Sequence, residues 1–219
     1  MYVVEKFVSI NGEGRKAGQL AVFIRLRGCN LDCGYCDTKW ANVNSCPAED
    51  MTPYEIYEYI KATGVKNVTL TGGEPLMHKD IDELLDILCK DNNISVEIET
   101  NGSVDVSFTK NIENPPSLTM DYKLPSSGMN DKMLMDNYKY IDSNDTVKFV
   151  CGTYNDIEKA YEIIKEYDLE NKCAVYISPV FGDIEPEMIV DFMKDKVLNN
   201  VNMQLQMHKF IWAPDKKGV

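Results

Sequence analysis

The 219-residue sequence has only two histidines, no run of about 18 apolar residues and no region where lysine and arginine gather. Without such a run no membrane-spanning helix is expected. The opening Met1-Tyr2-Val3-Val4-Glu5-Lys6-Phe7 also lacks a positive leader followed by an apolar stretch, which predicts a cytoplasmic protein. Basic residues number 23 against 35 acidic ones, a net charge of −12, and the two signs are interspersed. Binding to nucleic acid relies on lysine and arginine neutralising phosphates, so that partner class is excluded, and the acidic surface mainly favours solubility. No internal repeat, low-complexity tract or long linker divides the chain, which predicts one domain over residues 1–219, long enough to bury well over half of its unfolded surface. A paired-cysteine framework is absent too. The seven cysteines are odd in number, and Cys46, Cys89, Cys151 and Cys173 are scattered, as buried apolar thiols would be. Cys46 alone lies near enough in sequence to approach the remaining three.

What the chain does have is alternation of short β-branched runs with helical patterns, the mark of β/α units around a parallel sheet. Strands are expected at Ala21 to Arg27, Asn67 to Thr71, Ser95 to Glu99, Leu118 to Tyr122, Thr146 to Cys151 and Ala174 to Ser178. Thr52-Pro53-Tyr54-Glu55 forms a capping box with proline at the first helical position, so a helix runs from Pro53 to about Ala62. Further helices are expected at Asp80 to Cys89, Asn155 to Glu166 and Pro186 to Lys194. About six parallel strands are too few to close an eight-stranded barrel, so the expected fold class is α/β, a partial, open β/α barrel with its chemistry at the C-terminal strand ends. Helical periodicity is poor over 107–116 and 125–140, and one of these is expected to be a mobile active-site loop.

Cys29, Cys33 and Cys36 stand in Arg27-Gly28-Cys29-Asn30-Leu31-Asp32-Cys33-Gly34-Tyr35-Cys36-Asp37-Thr38, immediately after the first expected strand. Tetrahedral zinc wants four ligands, typically two separated C-x2-C pairs, and no second pair or adjacent histidine accompanies the trio. Three thiolates around a cubane 4Fe–4S cluster leave one iron open to an exogenous molecule, whereas an electron-transfer cluster normally has four. Thr71-Gly72-Gly73-Glu74-Pro75 follows the next strand. Taken alone it reads equally as an ordinary turn or as a ligand cradle, since two glycines allow close approach to the backbone and Glu74 offers a carboxylate to an ammonium.

With C-x3-C-x2-C after the first strand and Gly-Gly-Glu-Pro after the second, the chain resembles the radical S-adenosylmethionine (SAM) enzymes. The likeness to the 7-carboxy-7-deazaguanine synthase family, ring-contracting lyases of queuosine and 7-deazapurine biosynthesis, spans nearly the whole chain. It is carried by Ser9-Ile10-Asn11-Gly12-Glu13-Gly14, Arg25, Cys36-Asp37-Thr38, Glu99-Thr100-Asn101-Gly102-Ser103 and Leu205-Gln206-Met207-His208-Lys209.

The resemblance implies Cys29, Cys33 and Cys36 as cluster ligands, and Gly72, Gly73, Glu74 and Pro75 at the cofactor's amino group. It implies Gly102, Lys123, Ser178, Pro179, Val180 and Phe181 along the rest of SAM, although Asp121-Tyr122-Lys123 replaces the family's usual Ser-Pro-Lys. Ile10, Asn11, Gly12, Glu13, Arg25, Thr100 and Pro214 are implied at the substrate, 6-carboxy-5,6,7,8-tetrahydropterin, and Thr38 at Mg2+. Residue chemistry is compatible with three of these roles. Arg25 is a charged fork suited to carboxylates or ring oxygens, Glu13 an acceptor for a guanidine-like edge, and Thr38 a hard oxygen for magnesium. Plainer readings stay open: a strand-end salt bridge for Arg25, a hairpin turn for Asn11-Gly12, a loop-stabilising hydroxyl for Thr38, a surface lysine for Lys123 and a core histidine for His208. His208 and Lys209 are expected to close the pocket floor. Some relatives stop at a proline aligned with Pro214; Asp215-Lys216-Lys217-Gly218-Val219 continues past it, so any contact there falls to a backbone carbonyl or Asp215, or is missing.

The implied reaction uses no catalytic side chain beyond the cluster-bound cofactor. One electron splits SAM into methionine and a 5′-deoxyadenosyl radical, hydrogen abstraction starts the rearrangement, and the contracted ring loses ammonia. Flavodoxin or ferredoxin is the implied electron donor and a homodimer the implied assembly. Rival readings are a glycyl-radical-enzyme activase, which shares both motifs but must admit a protein loop, and a non-catalytic iron–sulfur carrier, which has no use for the Gly-Gly-Glu-Pro turn.

Overall fold

A computed structural model describes residues 1–214 and 216–219. Nine strands form one sheet: β1 (Tyr2–Ile10), β2 (Leu20–Leu26), β3 (Glu49–Asp50), β4 (Asn67–Gly72), β5 (Ser95–Thr100), β6 (Ser117–Tyr122), β7 (Thr146–Cys151), β8 (Ala174–Pro179) and β9 (Val201–Met203). Their order is β3-β1-β2-β4-β5-β6-β7-β8-β9, parallel from β2 to β9, with β1 antiparallel to β2 and β3 antiparallel to β1. The two ends of the sheet do not pair, so it is an open, curved array. All six expected strands are present. β1, β3 and β9 are additions that periodicity did not separate: β3 and β9 are two and three residues long, and β1 mixes exposed and half-buried positions instead of forming an apolar run.

Strand alternation sorts the two faces. Val22, Ile24 and Leu26, then Val68 and Leu70, Ile98, Leu118, Val147 and Phe149, Val175 and Ile177 are essentially inaccessible and belong to one apolar core. They pack under α1 (Pro53–Thr63), α2 (Ile81–Cys89), α3 (Tyr154–Glu166) and α5 (Pro186–Lys196), whose buried residues include Ile56, Leu85, Ile163 and Ile189; α4 (Leu169–Lys172) and α6 (His208–Ile211) are single turns. Fully burying each such side chain contributes about 1.5–3 kcal/mol. The residues between them, Arg25, Thr71, Glu99, Thr119, Asp121 and Lys148, face the other way and line a cavity. Successive strand side chains point to opposite faces, so an apolar layer under the helices and a polar concavity arise from one alternating pattern.

α1 begins at Thr52 and Glu55, whose capping box is complete, and ends at Gly64 in the left-handed conformation. α3 carries a second box, Thr153 with Asp156. The segments at 107–116 and 125–140 form short 3-10 turns rather than an open loop. Buried Asn137 ties the second to the turn after β5: its Nδ2 donates to Gly102 O (3.1 Å) and Val104 O (2.8 Å), and its Oδ1 accepts from Val106 N (3.2 Å). No helix among the described residues is long and apolar enough to cross a membrane.

Candidate active site

Gly28 leaves β2 with φ +95°, a conformation that a side chain would strain, and starts the cysteine loop. The loop is fastened on three sides. Gly28 N donates to Ala41 O at 3.2 Å, Gly34 N to Ser127 O at 3.0 Å and Cys36 N to Cys33 O at 3.2 Å. Cys29, Cys33 and Cys36 are free thiols on the wall of a cavity of about 660 Å³ at the C-terminal ends of the parallel strands. Among the described residues no three His, Cys, Asp or Glu side chains converge on a single-ion site. The donor set suits a cluster: three soft sulfurs share one wall, and Cys29 Sγ already accepts from Leu31 N (3.4 Å) and Asn101 Nδ2 (3.5 Å), as a ligating thiolate would. Burial raises the Cys33 thiol, opposed by Lys123, and raises Cys36, opposed by a backbone N–H at Thr38. Cys46 is buried but does not line the cavity; its Sγ lies 3.5 Å from Pro47 O.

Gly72 and Gly73 line the cavity, and neither has room for a side chain: an added Cβ would stand 2.2 Å from Leu26 O at Gly72 and 1.8 Å from Gly28 O at Gly73. The expectation for Glu74 and Pro75 needs correction. Both are buried away from the cavity, and the Glu74 carboxylate is occupied, with Oε1 accepting from Leu76 N (3.1 Å) and Thr100 Oγ1 (2.9 Å) and Oε2 from Asn101 N (2.7 Å). It braces the end of β5 and is not presented to an ammonium. Gly102 is likewise buried and does not line the cavity; an added Cβ there would stand 3.1 Å from Met120 Cγ and 3.2 Å from Asp121 O. Ser178 and Pro179 are buried, whereas Val180 and Phe181 reach the cavity.

Of the expected substrate residues, Ile10, Gly12, Glu13, Arg25, Thr100 and Pro214 line the cavity. Asn11 does not; it starts the β1–β2 connection, with its N–H on Gln19 O (2.8 Å) and its Oδ1 accepting from Thr69 Oγ1 (3.0 Å), so the hairpin reading of that residue holds. Arg25 forms the salt bridge of the plainer reading, with Glu5 (Nε to Oε2, 2.9 Å), and does so inside the cavity. Thr38 faces the cavity and donates to Asp37 Oδ1 at 2.9 Å. The expected alternative to Pro214, Asp215, lies outside the described residues.

Lys123 is no surface lysine. Its side chain is 13% exposed and its Nζ lies 2.8 Å from Asp121 Oδ2. Asp121 in turn faces its register partner Lys148, which bridges to Glu13 Oε2 at 3.1 Å and Asp121 Oδ1 at 3.4 Å. Burial, which lowers Lys148, is outweighed by Asp121, Glu13 and Glu99, so its ammonium is held charged well above its ordinary value. No motif pointed to Lys148, nor to Thr119, Tyr35 and Asn42, which also line the cavity. The one available signal was strand alternation, which puts position 148 on the same face as its register partner 121. Among buried side-chain atoms left without a partner are Glu13 Oε1, Asn42 Oδ1, Asn11 Nδ2 and Ser178 Oγ, all at or near this cavity.

The C-terminal signature closes the floor. Gln204 exchanges two bonds with the Gly14 backbone (2.6 and 3.2 Å), Met207 N donates to Gly12 O (3.1 Å), and Lys209 reaches Asp37 Oδ2 at 3.3 Å. His208 lines the cavity against Gly12, and burial lowers its imidazole below the usual range.

Residues 23–123 match the family model described as the radical SAM superfamily. A 7-carboxy-7-deazaguanine synthase of Clostridium acetobutylicum is 58% identical over 217 residues, 99% of this chain and 98% of that one. One from Methanospirillum hungatei is 38% identical, covering 98% and 86%. Among solved structures, QueE from Escherichia coli superposes with a TM-score of 0.72 at 23% identity over 94% of each chain. TYW1 with a lysine-pyruvate adduct bound superposes at 0.56 and 19%, over 82% of this chain and 74% of that one. At these identities the structural likeness is one of fold.

Proposed function

This chain belongs to the 7-carboxy-7-deazaguanine synthases, radical SAM enzymes, and from that premise we propose how its residues serve the ring contraction of 6-carboxy-5,6,7,8-tetrahydropterin to 7-carboxy-7-deazaguanine with loss of ammonia. The observation that carries the assignment is the union of three free thiols and a ring of paired polar side chains in one cavity. A glycyl-radical activase must admit a protein loop, whereas here the β1–β2 connection and the 204–209 segment wall the floor.

Cys29, Cys33 and Cys36 hold the cluster, and the Gly72 and Gly73 backbone receives the amino-acid end of SAM. When bound, cluster and cofactor together supply a primary-carbon radical that removes a hydrogen atom from the substrate. Everything else is positioning, because such a radical attacks any nearby C–H unless geometry forbids it. Glu13, with an unpartnered buried oxygen, accepts from the guanidine-like edge. Arg25, already oriented by Glu5, offers its fork to the carboxylate or ring oxygen. Thr100, fixed by Glu74, holds the ring at the end of β5. Lys123 and Val180 with Phe181 border the nucleoside. Thr38, beside Asp37, supplies a hard oxygen for Mg2+. Flavodoxin or ferredoxin as electron donor, a homodimer and a cytoplasmic setting complete the reading, which the acidic, interspersed surface charge suits.

The test is anaerobic incubation of the reconstituted protein with reductant, SAM and 6-carboxytetrahydropterin, following product absorbance and mass. Formation of the deazaguanine is expected. SAM cleavage with an intact cluster and no deazaguanine would remove the substrate assignment.

A further inference from the structure

Residues 216–219 lie against the cavity. Lys216, Lys217, Gly218 and Val219 line it, and Lys217 Nζ sits 3.8 Å from the centroid of the Trp40 ring, two residues beyond Thr38. Among the described residues six lysines and arginines line the cavity, and four of them are spoken for: Arg25 by Glu5, Lys123 by Asp121, Lys148 by Glu13 and Asp121, Lys209 by Asp37. Lys216 and Lys217 have no carboxylate partner among the described residues. An ammonium over an aromatic face is held by the ring quadrupole and keeps its hydrogens for other acceptors.

The cations that no carboxylate neutralises are therefore at the tail. The strand face carries both signs, and its cations Arg25 and Lys148 are already paired. Glu13, in the β1–β2 connection, keeps a buried oxygen without a partner, suited to the donor edge of a pterin. A carboxylate on the same ligand finds its free counter-charge at Lys217 on Trp40. Resting on the function proposed above, we infer that Lys217 is a substrate-positioning residue: held on Trp40, it pairs with the carboxylate of the bound pterin and draws the C-terminal strap over it. SAM also carries a carboxylate, but that group belongs at the Gly72 and Gly73 backbone beside the cysteine loop.

Binding of fluorescent, unreactive 6-carboxypterin to the cluster-reconstituted protein tests this, with pterin lacking the carboxylate and SAM as parallel ligands. Lys217→Met should weaken 6-carboxypterin roughly three- to fivefold, the worth of one partly exposed ion pair, while leaving unsubstituted pterin and SAM unchanged. Lys217→Arg should restore affinity, since guanidinium also stacks and pairs. Trp40→Leu, which removes the platform and keeps the charge, should reproduce part of the loss. With substrate, Lys217→Met should raise KM and spare kcat. Equal weakening of both pterins, or a loss confined to SAM, overturns the inference. If the parent binds neither pterin, the function itself is at fault; if it binds 6-carboxypterin and Lys217→Met binds it equally, only the role of Lys217 falls.

Discussion

Gly73 lies directly against the Gly28 carbonyl, which also accepts the Glu74 N–H at 2.8 Å. The first residue of the cysteine loop and the middle of the Gly-Gly-Glu turn are thus a single contact between β2 and β4. Thiols and cofactor cradle are set by two backbone hydrogen bonds, this one and Gly73 N to Leu26 O at 3.1 Å. Gly73→Ala puts a methyl where the carbonyl stands and is expected to cost about 1–3 kcal/mol, as overpacking does, together with cluster loading. Thermal unfolding and iron content check this; a variant matching the parent in both contradicts the contact.

Glu74→Gln separates the bracing role from a grip on the cofactor. The amide keeps one acceptor but turns an N–H₂ toward donors from Thr100, Leu76 or Asn101, costing about 1–3 kcal/mol. Turnover should fall as Thr100 loses its anchor, with SAM affinity nearly intact. Calorimetric titration with SAM decides, since a carboxylate that binds the ammonium directly would lose affinity instead.

Cys33→Ala should abolish the visible absorbance of the cluster, iron loading and SAM cleavage, whereas Cys46→Ala should keep all three. Cys46 is turned toward Pro47 and away from the cavity. Retained cleavage in the first variant, or lost iron in the second, would place the ligands elsewhere.

Glu99 sits in the cavity wall, where burial raises its carboxyl; Lys148 and a Thr71 hydrogen bond oppose the rise, and nearby Glu97 and Glu13 add to it. A raised acid binds more protons folded than unfolded, so it lowers stability as pH climbs from its ordinary value near 4.3 through the folded one. Glu99→Gln should therefore match the parent near pH 4 and become the more stable of the two toward neutrality. Denaturant midpoints across that range test the sign. A difference that shrinks with rising pH would contradict it.

Lys148→Met strips the bridge between Glu13 and Asp121: Asp121 keeps Lys123, and the enclosed Glu13 carboxylate loses its cation. Breaking a buried pair on one side typically costs about 3–5 kcal/mol, and the partial exposure here puts the expectation at the lower end. A melting temperature within a degree or two of the parent would show that the network is solvated.

The cysteine trio and the sheet were legible in the sequence because both are local signals. C-x3-C-x2-C is a short chemical pattern, and apolar residues at every second position place Ile24, Leu70, Ile98 and Phe149 on one face without reference to any neighbour. Capping at Thr52 and Glu55 is equally local. What only the tertiary structure decided is where polar side chains point once strands lie side by side. Glu74 looks available in sequence yet is consumed by Thr100 and Asn101 from the next strand. Lys148 carries no motif and becomes central through register with Asp121. Asn137, far along the chain, pins the turn at Gly102, and the tail past Pro214 meets Trp40. Hydrogen bonds and ion pairs depend on angles and on separations of a few ångströms between segments distant in the chain, and a one-dimensional pattern does not encode those.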